Sequence, residues 1–232
     1  FVVAPFVESE NHGAFLLRPE SIFSGNDIDT EFFESLKTNK RFISLPKPSA
    51  TSIETTTRQE FTGQVEAAVR ALKDGEFNKT VLSKIRKEEL PEGFNAPDFF
   101  RKLCSAYPHA FVYLIQLPEI GCWMGATPEP LLVVENGKVE TVSLAGTQLA
   151  TDTENYSWTE KEIEEQGIVT EFVEKTLQSL GVEKYSKTGP ENYRAANLIH
   201  LRTAFEFPEA GIQNRLGEFL KALHPTPSVG GL

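Results

Sequence analysis

The fold class of this chain is decided by the stretch LLVVENGKVETVSL, residues 131–144. Leu131 to Val134 and Val139 to Leu144 are rich in Val and Leu, and Asn136-Gly137 between them is the strongest short signal for a β-hairpin. The stretch therefore predicts a pair of antiparallel strands in the second half of the 232 residues.

Strand and helix signals alternate irregularly on both sides of this hairpin. Further strands are predicted at Thr80 to Leu90, Ala110 to Leu117 and Leu198 to Phe207. Apolar residues at helical spacing predict helices over residues 57–75, 97–107, 158–180 and 215–223. Thr57 and Glu60 form a capping-box pattern at the start of the first helix, and Pro97 stands just inside the start of the second. This order lacks the strict β-α-β alternation and the glycine fingerprint of a doubly wound fold. We therefore predict an α+β fold with an antiparallel β-sheet core and packed helices.

The loosest stretch of the sequence runs from Leu45 to Thr57. It has two prolines and many hydroxyl side chains, which predict a connecting loop. The loop divides the chain into residues 1–56, a variable N-terminal part, and residues 57–232, the core. Phe1 stands at the start without an initiator Met, so we expect a fragment boundary there.

Composition argues against several classes of function. The formal net charge is −10, and the sequence lacks the clusters of Lys and Arg that bind nucleic-acid phosphates. No apolar run is long enough to cross a bilayer. Cys104 and Cys122 are the only cysteines, and they fit packing residues in a reducing compartment. We expect a cytoplasmic protein with a small-molecule partner. An anionic partner would need local cations, backbone amides or a metal.

Two carboxylates stand out on the predicted helix from Trp158 to Leu180. At about 100° per residue, Glu162 and Glu165 fall on its apolar stripe with Val169. Burial of two like charges is costly unless a hard cation offsets it, and Mg²⁺ takes oxygen ligands. The alternative is a role at the helix start, where Thr159 and Glu162 form a capping box. This alternative accounts for Glu162 better than for Glu165.

Three further features carry weak signals when taken singly. Lys79 begins KTVLSK and could act as a desolvated base, although most such lysines reach solvent. Glu129 lies in GATPE, where the alternative is an acid that stabilises a short helix start behind Thr127 and Pro128. The stretch LAGT, residues 144–147, ends a strand in a turn whose backbone amides could approach a carboxylate.

Six motifs in order give the chain a family resemblance. They are KTVLSK (79–84), GATPE (125–129), LAGT (144–147), KEIEEQ (161–166), HL (200–201) and LHPTPSVGG (223–231). Together they resemble the chorismate-utilising enzymes, which include anthranilate, aminodeoxychorismate, isochorismate and salicylate synthases. The resemblance covers the chain from Lys79 onward. It implies the chorismate-binding fold of anthranilate synthase component I, without its C-terminal part.

Within this family the motifs resemble isochorismate synthases most. Isochorismate and salicylate synthases carry a water-activating lysine at the position of Lys79, and aminodeoxychorismate synthases carry a nucleophilic lysine where this chain has Ala145. By the resemblance, Lys79 is the general base for water attacking C2 of chorismate, and Glu129 is the general acid that protonates the leaving C4 hydroxyl. Lys79 must then start neutral and Glu129 protonated, so burial should lower the first pKa and raise the second.

The same resemblance assigns the other site residues. Glu165 would hold Mg²⁺ with help from Glu162, and the metal would bind the ring carboxylate of chorismate. Substrate contacts are expected from Ala145, Gly146, Thr147 and His200. For His200 the alternative is a histidine that is satisfied within a strand. Gln166 departs from the family pattern, because most relatives have His there.

Two alternatives stay open. A salicylate synthase shares Lys79 and Glu129 but eliminates pyruvate after forming isochorismate, and a non-catalytic fragment of the family would serve only in binding. Relatives continue beyond LHPTPSVGG and carry a second metal-binding Glu there. We therefore expect half a metal site, weak or absent activity and exposed strand edges in this chain, as a monomer or weak homo-oligomer.

Overall fold

The computed structural model describes residues 2–6, 13–19, 22, 55–108, 110–117, 121–127, 129–151, 155–195 and 197–229. Contacts between Cα atoms divide the chain into two compact units, Phe1–Thr51 with Ile115–Cys122 and Ser52–Leu114 with Trp123–Leu232. The connecting loop predicted from Leu45 lies outside the described residues as far as Glu54. The predicted boundary after residue 56 stays a prediction.

The described residues near the N-terminus of the first unit form a small antiparallel sheet. Strands β1 (Val2–Val3) and β2 (Phe15–Leu16) pair so that Val2 lies opposite Leu16. The second unit contains all the residues proposed above for catalysis and binding.

The second unit begins with two helices whose N-termini were predicted from local signals. Helix α1 (Arg58–Lys73) has the Thr57/Glu60 capping box, in which Glu60 N donates to Thr57 Oγ1 at 3.2 Å. Helix α2 (Ala96–Ala106) starts at Asn95, whose side chain accepts from the backbone N–H of Asp98 at 2.9 Å. Both predictions are confirmed.

The strand predicted from Thr80 to Leu90 is wrong. Only Thr80 takes part in an isolated bridge, and the residues from Val81 to Leu90 form no ladder and are exposed. Apolar and β-branched residues make a strand only where another strand supplies hydrogen bonds, and this segment has no such partner within the described part of the chain.

Six strands follow helix α2. They are β3 (Phe111–Leu117), β4 (Gly121–Thr127), β5 (Val133–Glu135), β6 (Lys138–Leu149), β7 (Ser186–Ala195) and β8 (Leu198–Pro208). β3 and β4 form a two-stranded sheet, and the other four form an antiparallel sheet in the order β5-β6-β8-β7. The predicted hairpin is confirmed, with positive φ at Asn136 (52°) and Gly137 (78°) as its tight turn requires.

Two of these six strands were not predicted. β4 begins with Gly121 and also contains Gly125, and β7 contains Gly189-Pro190, a dipeptide that favours a turn. β7 is an edge strand, where a proline costs no ladder hydrogen bond on its open side.

Two more helices complete the second unit. They are α3 (Glu160–Ser179), between β6 and β7 along the chain, and α4 (Leu216–Leu223), which follows β8 after a 3₁₀ turn at Glu209–Gly211. Helix α3 lies on β6 and β8, where Val173 and Leu177 pack with Val139 and Phe205, all fully buried. Each such side chain contributes about 1.5–3 kcal/mol to folding. This packing fixes the N-terminal turn of α3 beside the ends of β6 and β8.

The α+β fold class is confirmed, as are the four predicted helices. Among the described residues, no helix combines the length and the apolar character needed to cross a membrane.

Candidate active site

Lys79 brings three distant parts of the sequence together. Its Nζ lies 3.3 Å from Oε1 of Glu165 on α3 and donates a hydrogen bond to the backbone carbonyl of Pro227. The Lys79 side chain is 11% exposed. The motif residue proposed as base therefore contacts both the residue proposed as metal ligand and the motif at the C-terminal end of the described chain.

The segment around Pro227 is fixed independently of Lys79. Pro227 is fully buried, and the neighbouring Ser228 Oγ donates to the carbonyl of Leu144 in β6 at 2.6 Å. A turn closes with Val229 N donating to Thr226 O at 3.1 Å. The Pro227 carbonyl is thus a positioned acceptor near the start of the LAGT stretch of β6.

The two glutamates of α3 have different neighbours. The buried seam of α3 consists of Gln166, Val169, Val173, Thr176 and Leu177. Glu162 and Glu165 lie at the edge of this seam and are partly buried. Glu162 Oε2 accepts from N and Oγ1 of Thr159 at 2.8 and 3.0 Å, so the proposed helix-start role of Glu162 is confirmed.

Glu165 has a cationic environment. Besides Lys79, the Nζ of Lys161 lies 3.9 Å from Oε2 of Glu165. No group of three or more His, Cys, Asp or Glu side chains converges in the described ranges. Both bonds to Glu162 end on Oε2, which leaves its Oε1 without a partner among these residues. The two carboxylates would supply only part of the coordination of Mg²⁺. Substrate oxygens and water would have to complete it, as is typical of this ion.

The LAGT stretch was predicted to end a strand, but β6 continues through it to Leu149, so the LAGT turn is a bulge within β6. The register between β6 and β8 shifts after Ala145, which pairs with Leu201, and Gly146 adopts φ +67°. His200 Nδ1 lies 2.9 Å from the Gly146 carbonyl and 3.2 Å from Thr147 Oγ1. Because a carbonyl only accepts, Nδ1 carries a hydrogen and donates it to Gly146. The His200 ring thus has hydrogen-bond partners within the sheet, and both partners lie in the LAGT turn.

The ring of Trp158 covers Gly146. A Cβ atom on Gly146 would lie 2.9 Å from Trp158 Cζ3 and 3.6 Å from the Cβ of Glu162. Trp158 Nε1 donates to Asn192 Oδ1 on β7 at 2.8 Å. The sequence indicated Trp158 only as part of an apolar stripe and gave no signal for Asn192, because β7 was not predicted.

Glu129 lies just beyond β4 and is partly buried. Burial raises the pKa of its carboxyl above the ordinary value of 4.5, which is the direction a general acid requires. Residues 129–132 are not helical, so the alternative helix-start role is wrong. Glu129 N donates to Thr127 Oγ1 at 3.4 Å, and in the described residues its carboxylate makes no hydrogen bond or ion pair with Lys79 or Glu165.

Comparison with solved structures gives the class of this fold. A Bacillus anthracis protein assigned as a 2,3-dihydroxybenzoate-specific isochorismate synthase, DhbC, superimposes with a TM-score of 0.64 at 22% identity over 76% of this chain and 51% of its own. Anthranilate synthase component I from Streptococcus pneumoniae superimposes with a TM-score of 0.60 at 22% identity over 89% of this chain and 49% of its own. The fold is that of these chorismate-utilising synthases.

The chain belongs to the chorismate binding enzyme family, whose sequence model matches residues 18–232. Its relatives include isochorismate synthase MenF of Haemophilus influenzae, which is 26% identical over 97% of this chain. The match covers 54% of that relative, so the chain spans about half the length of such proteins.

Proposed function

We propose that this chain comes from an Mg²⁺-dependent isochorismate synthase. The observation that carries the proposal is the contact of Lys79 with Glu165 and with the Pro227 carbonyl. A lysine at this position, held in a partly enclosed place by family motifs, is suited to activate water rather than ammonia. The name of the relative from Haemophilus influenzae agrees with this reaction.

Two proton transfers accompany the proposed reaction. Lys79 takes a proton from the water that attacks C2 of chorismate, and Glu129 gives a proton to the C4 hydroxyl, which leaves as water while the ring double bonds shift. Lys79 acts as a base only in its neutral form. Burial raises the pKa of Glu129, which is the direction that a role as general acid requires.

The remaining proposed residues would bind the substrate and the metal. Gly146 and Thr147 form the turn proposed to meet a substrate carboxylate, with Ala145 too small to act as a nucleophile and His200 bonded to the turn. Glu165, with the open Oε1 of Glu162, would hold Mg²⁺, which when bound neutralises the carboxylate of the substrate.

The test is a chorismate assay with and without Mg²⁺, with separate detection of isochorismate, salicylate and pyruvate. Lys79→Gln should lower isochorismate formation about 10²–10⁴-fold. Lys84→Gln is the matched control, because Lys84 is exposed and lies in the same motif. Salicylate with pyruvate would support the salicylate synthase alternative. An absence of turnover together with an absence of Mg²⁺-dependent chorismate binding would contradict the proposal.

A further inference from the structure

Gln166 ties the helix of the site to two strands. It follows Glu165 on α3, and 3% of the residue is exposed. Its Nε2 lies 3.0 Å from Ser143 Oγ and 3.0 Å from Thr203 Oγ1, with the Ser143 carbonyl at 3.3 Å. Ser143 on β6 and Thr203 on β8 are direct cross-strand partners. One amide therefore contacts both central strands of the sheet.

The other end of the Gln166 amide is unsatisfied. Its Oε1 is buried and has no hydrogen-bond partner within the described part of the chain. Exchange of the amide nitrogen and oxygen does not remove the problem, because the oxygen would then accept from the two hydroxyls and the nitrogen would lack an acceptor. Buried polar atoms are nearly always paired, so folding stability alone does not explain a glutamine here.

The three elements that meet at Gln166 each carry a proposed site residue close by. β6 continues from Ser143 into the Gly146 turn. On β8, Thr203 comes three residues after His200. Helix α3 places Glu165 one residue before Gln166. A side chain at this junction therefore determines the rotation of α3 about its axis and the position of its first turns on the sheet.

We propose that Gln166 is a positioning residue, whose buried amide seats α3 on Ser143 and Thr203 and so sets the Glu165 carboxylate against Lys79. The inference rests on the proposed function, which assigns base and metal-ligand roles to that pair. Gln166 acts through Glu165 and touches neither Lys79 nor a substrate.

The first test follows the environment of Lys79 and needs no turnover. The protein is labelled briefly with an amine-reactive reagent, and modification of Lys79 is measured by peptide mass spectrometry against the exposed Lys73. In the wild type, enclosure and the contacts with Glu165 and Pro227 should make Lys79 slow to react. Gln166→Met, which has a similar length and no polar atoms, should speed labelling of Lys79 several-fold while the melting temperature changes little.

Two variants make this result specific. Gln166→His keeps a ring N–H at a similar reach and should restore slow labelling, whereas Thr176→Val changes a buried polar residue farther along the same seam of α3 and should leave Lys79 as in the wild type. If Gln166→Met does not fold, Ser143→Ala removes one acceptor of the amide, Ser143 Oγ, and should itself speed labelling of Lys79.

Turnover then separates this inference from the proposed function. In a chain that converts chorismate, Gln166→Met should lower kcat about tenfold with little change in KM for chorismate. Unchanged labelling of Lys79 in folded Gln166→Met and Ser143→Ala proteins would overturn the inference, whether or not the wild type converts chorismate. Absence of turnover in the wild type bears on the proposed function alone.

Discussion

Replacement of Gly146 by alanine should disturb both the turn and the start of α3. Gly146 has φ +67°, and the added Cβ would lie 2.9 and 3.2 Å from two ring atoms of Trp158. The ring cannot move away freely, because its Nε1 donates to Asn192 at 2.8 Å. Trp158 directly precedes the Thr159 cap of α3, so a displaced ring would also shift the turn that carries Glu162.

The expected loss of stability has two parts. A left-handed backbone costs a residue other than glycine about 1–2 kcal/mol. Forcing an extra methyl group into a packed contact costs about 1–3 kcal/mol more. We therefore expect Gly146→Ala to lower the free energy of unfolding by about 2–5 kcal/mol.

Urea-induced unfolding followed by far-ultraviolet circular dichroism measures this loss. Gly181→Ala is the matched control, because Gly181 has a similar φ of +77° and its Cβ would meet no atom within 4 Å. It should lose only the backbone part, about 1–2 kcal/mol. In a Trp158→Leu background, Gly146→Ala should likewise cost about as much as Gly181→Ala, because the clashing ring is gone.

Equal losses for Gly146→Ala and Gly181→Ala in the wild-type background would refute the reasoning. They would mean that the Trp158 ring moves aside at no cost in free energy and does not define the shape of the turn.

Three further predictions concern the titrating and binding groups. Burial raises the pKa of Glu129 above 4.5, so the folded protein binds this proton more tightly than the unfolded chain does. The free energy of unfolding should therefore fall as pH rises from about 4.5 through the folded pKa, and Glu129→Gln should remove that part of the pH dependence in urea titrations at several pH values. Glu165→Gln should weaken Mg²⁺ binding about tenfold or more in calorimetry, whereas the exposed Glu160→Gln should not, and equal affinities would count against the metal assignment. His200→Asn keeps a donor near the Gly146 carbonyl and should retain chorismate affinity, whereas His200→Ala should lose it; equal affinity in both would leave His200 a strand residue only.

Local signals predicted the elements whose formation depends on neighbouring residues. The Asn136-Gly137 turn and the Thr57/Glu60 box need only a few adjacent residues, and both formed as expected. The segment after Thr80 failed because strand formation needs a distant partner, which its own residues do not encode. The exposed edge strand β7 escaped prediction for the converse reason, since β8 supplies its hydrogen bonds.

The site shows the same division between local and distant information. Family motifs indicated Lys79, Glu129 and Glu165, and the helical period placed Glu165 near the seam of α3. The contact of Lys79 with Pro227 joins residues far apart in sequence and had no local signal. Gln166 was visible only as a departure from the family pattern, and its pairing with Ser143 and Thr203 required the register of β6 and β8.

Charge balance gives a reason to expect a cation in the working site. The chain has a formal charge of −10, so long-range attraction does not favour a dicarboxylate such as chorismate. Arg202, two residues after His200 and hence on the same face of β8, is already paired with Glu140 at 2.8 Å and Glu191 at 3.3 Å. Lys79 is likewise balanced by Glu165 and has to become neutral to act as a base. Among the described residues, the site thus has little uncompensated positive charge for a substrate carboxylate, and a divalent cation at Glu165 would supply it.

The same balance predicts that chorismate binding depends steeply on Mg²⁺ in the wild type, and that Lys79→Gln retains this dependence because the base and the carboxylate-binding charge are separate groups.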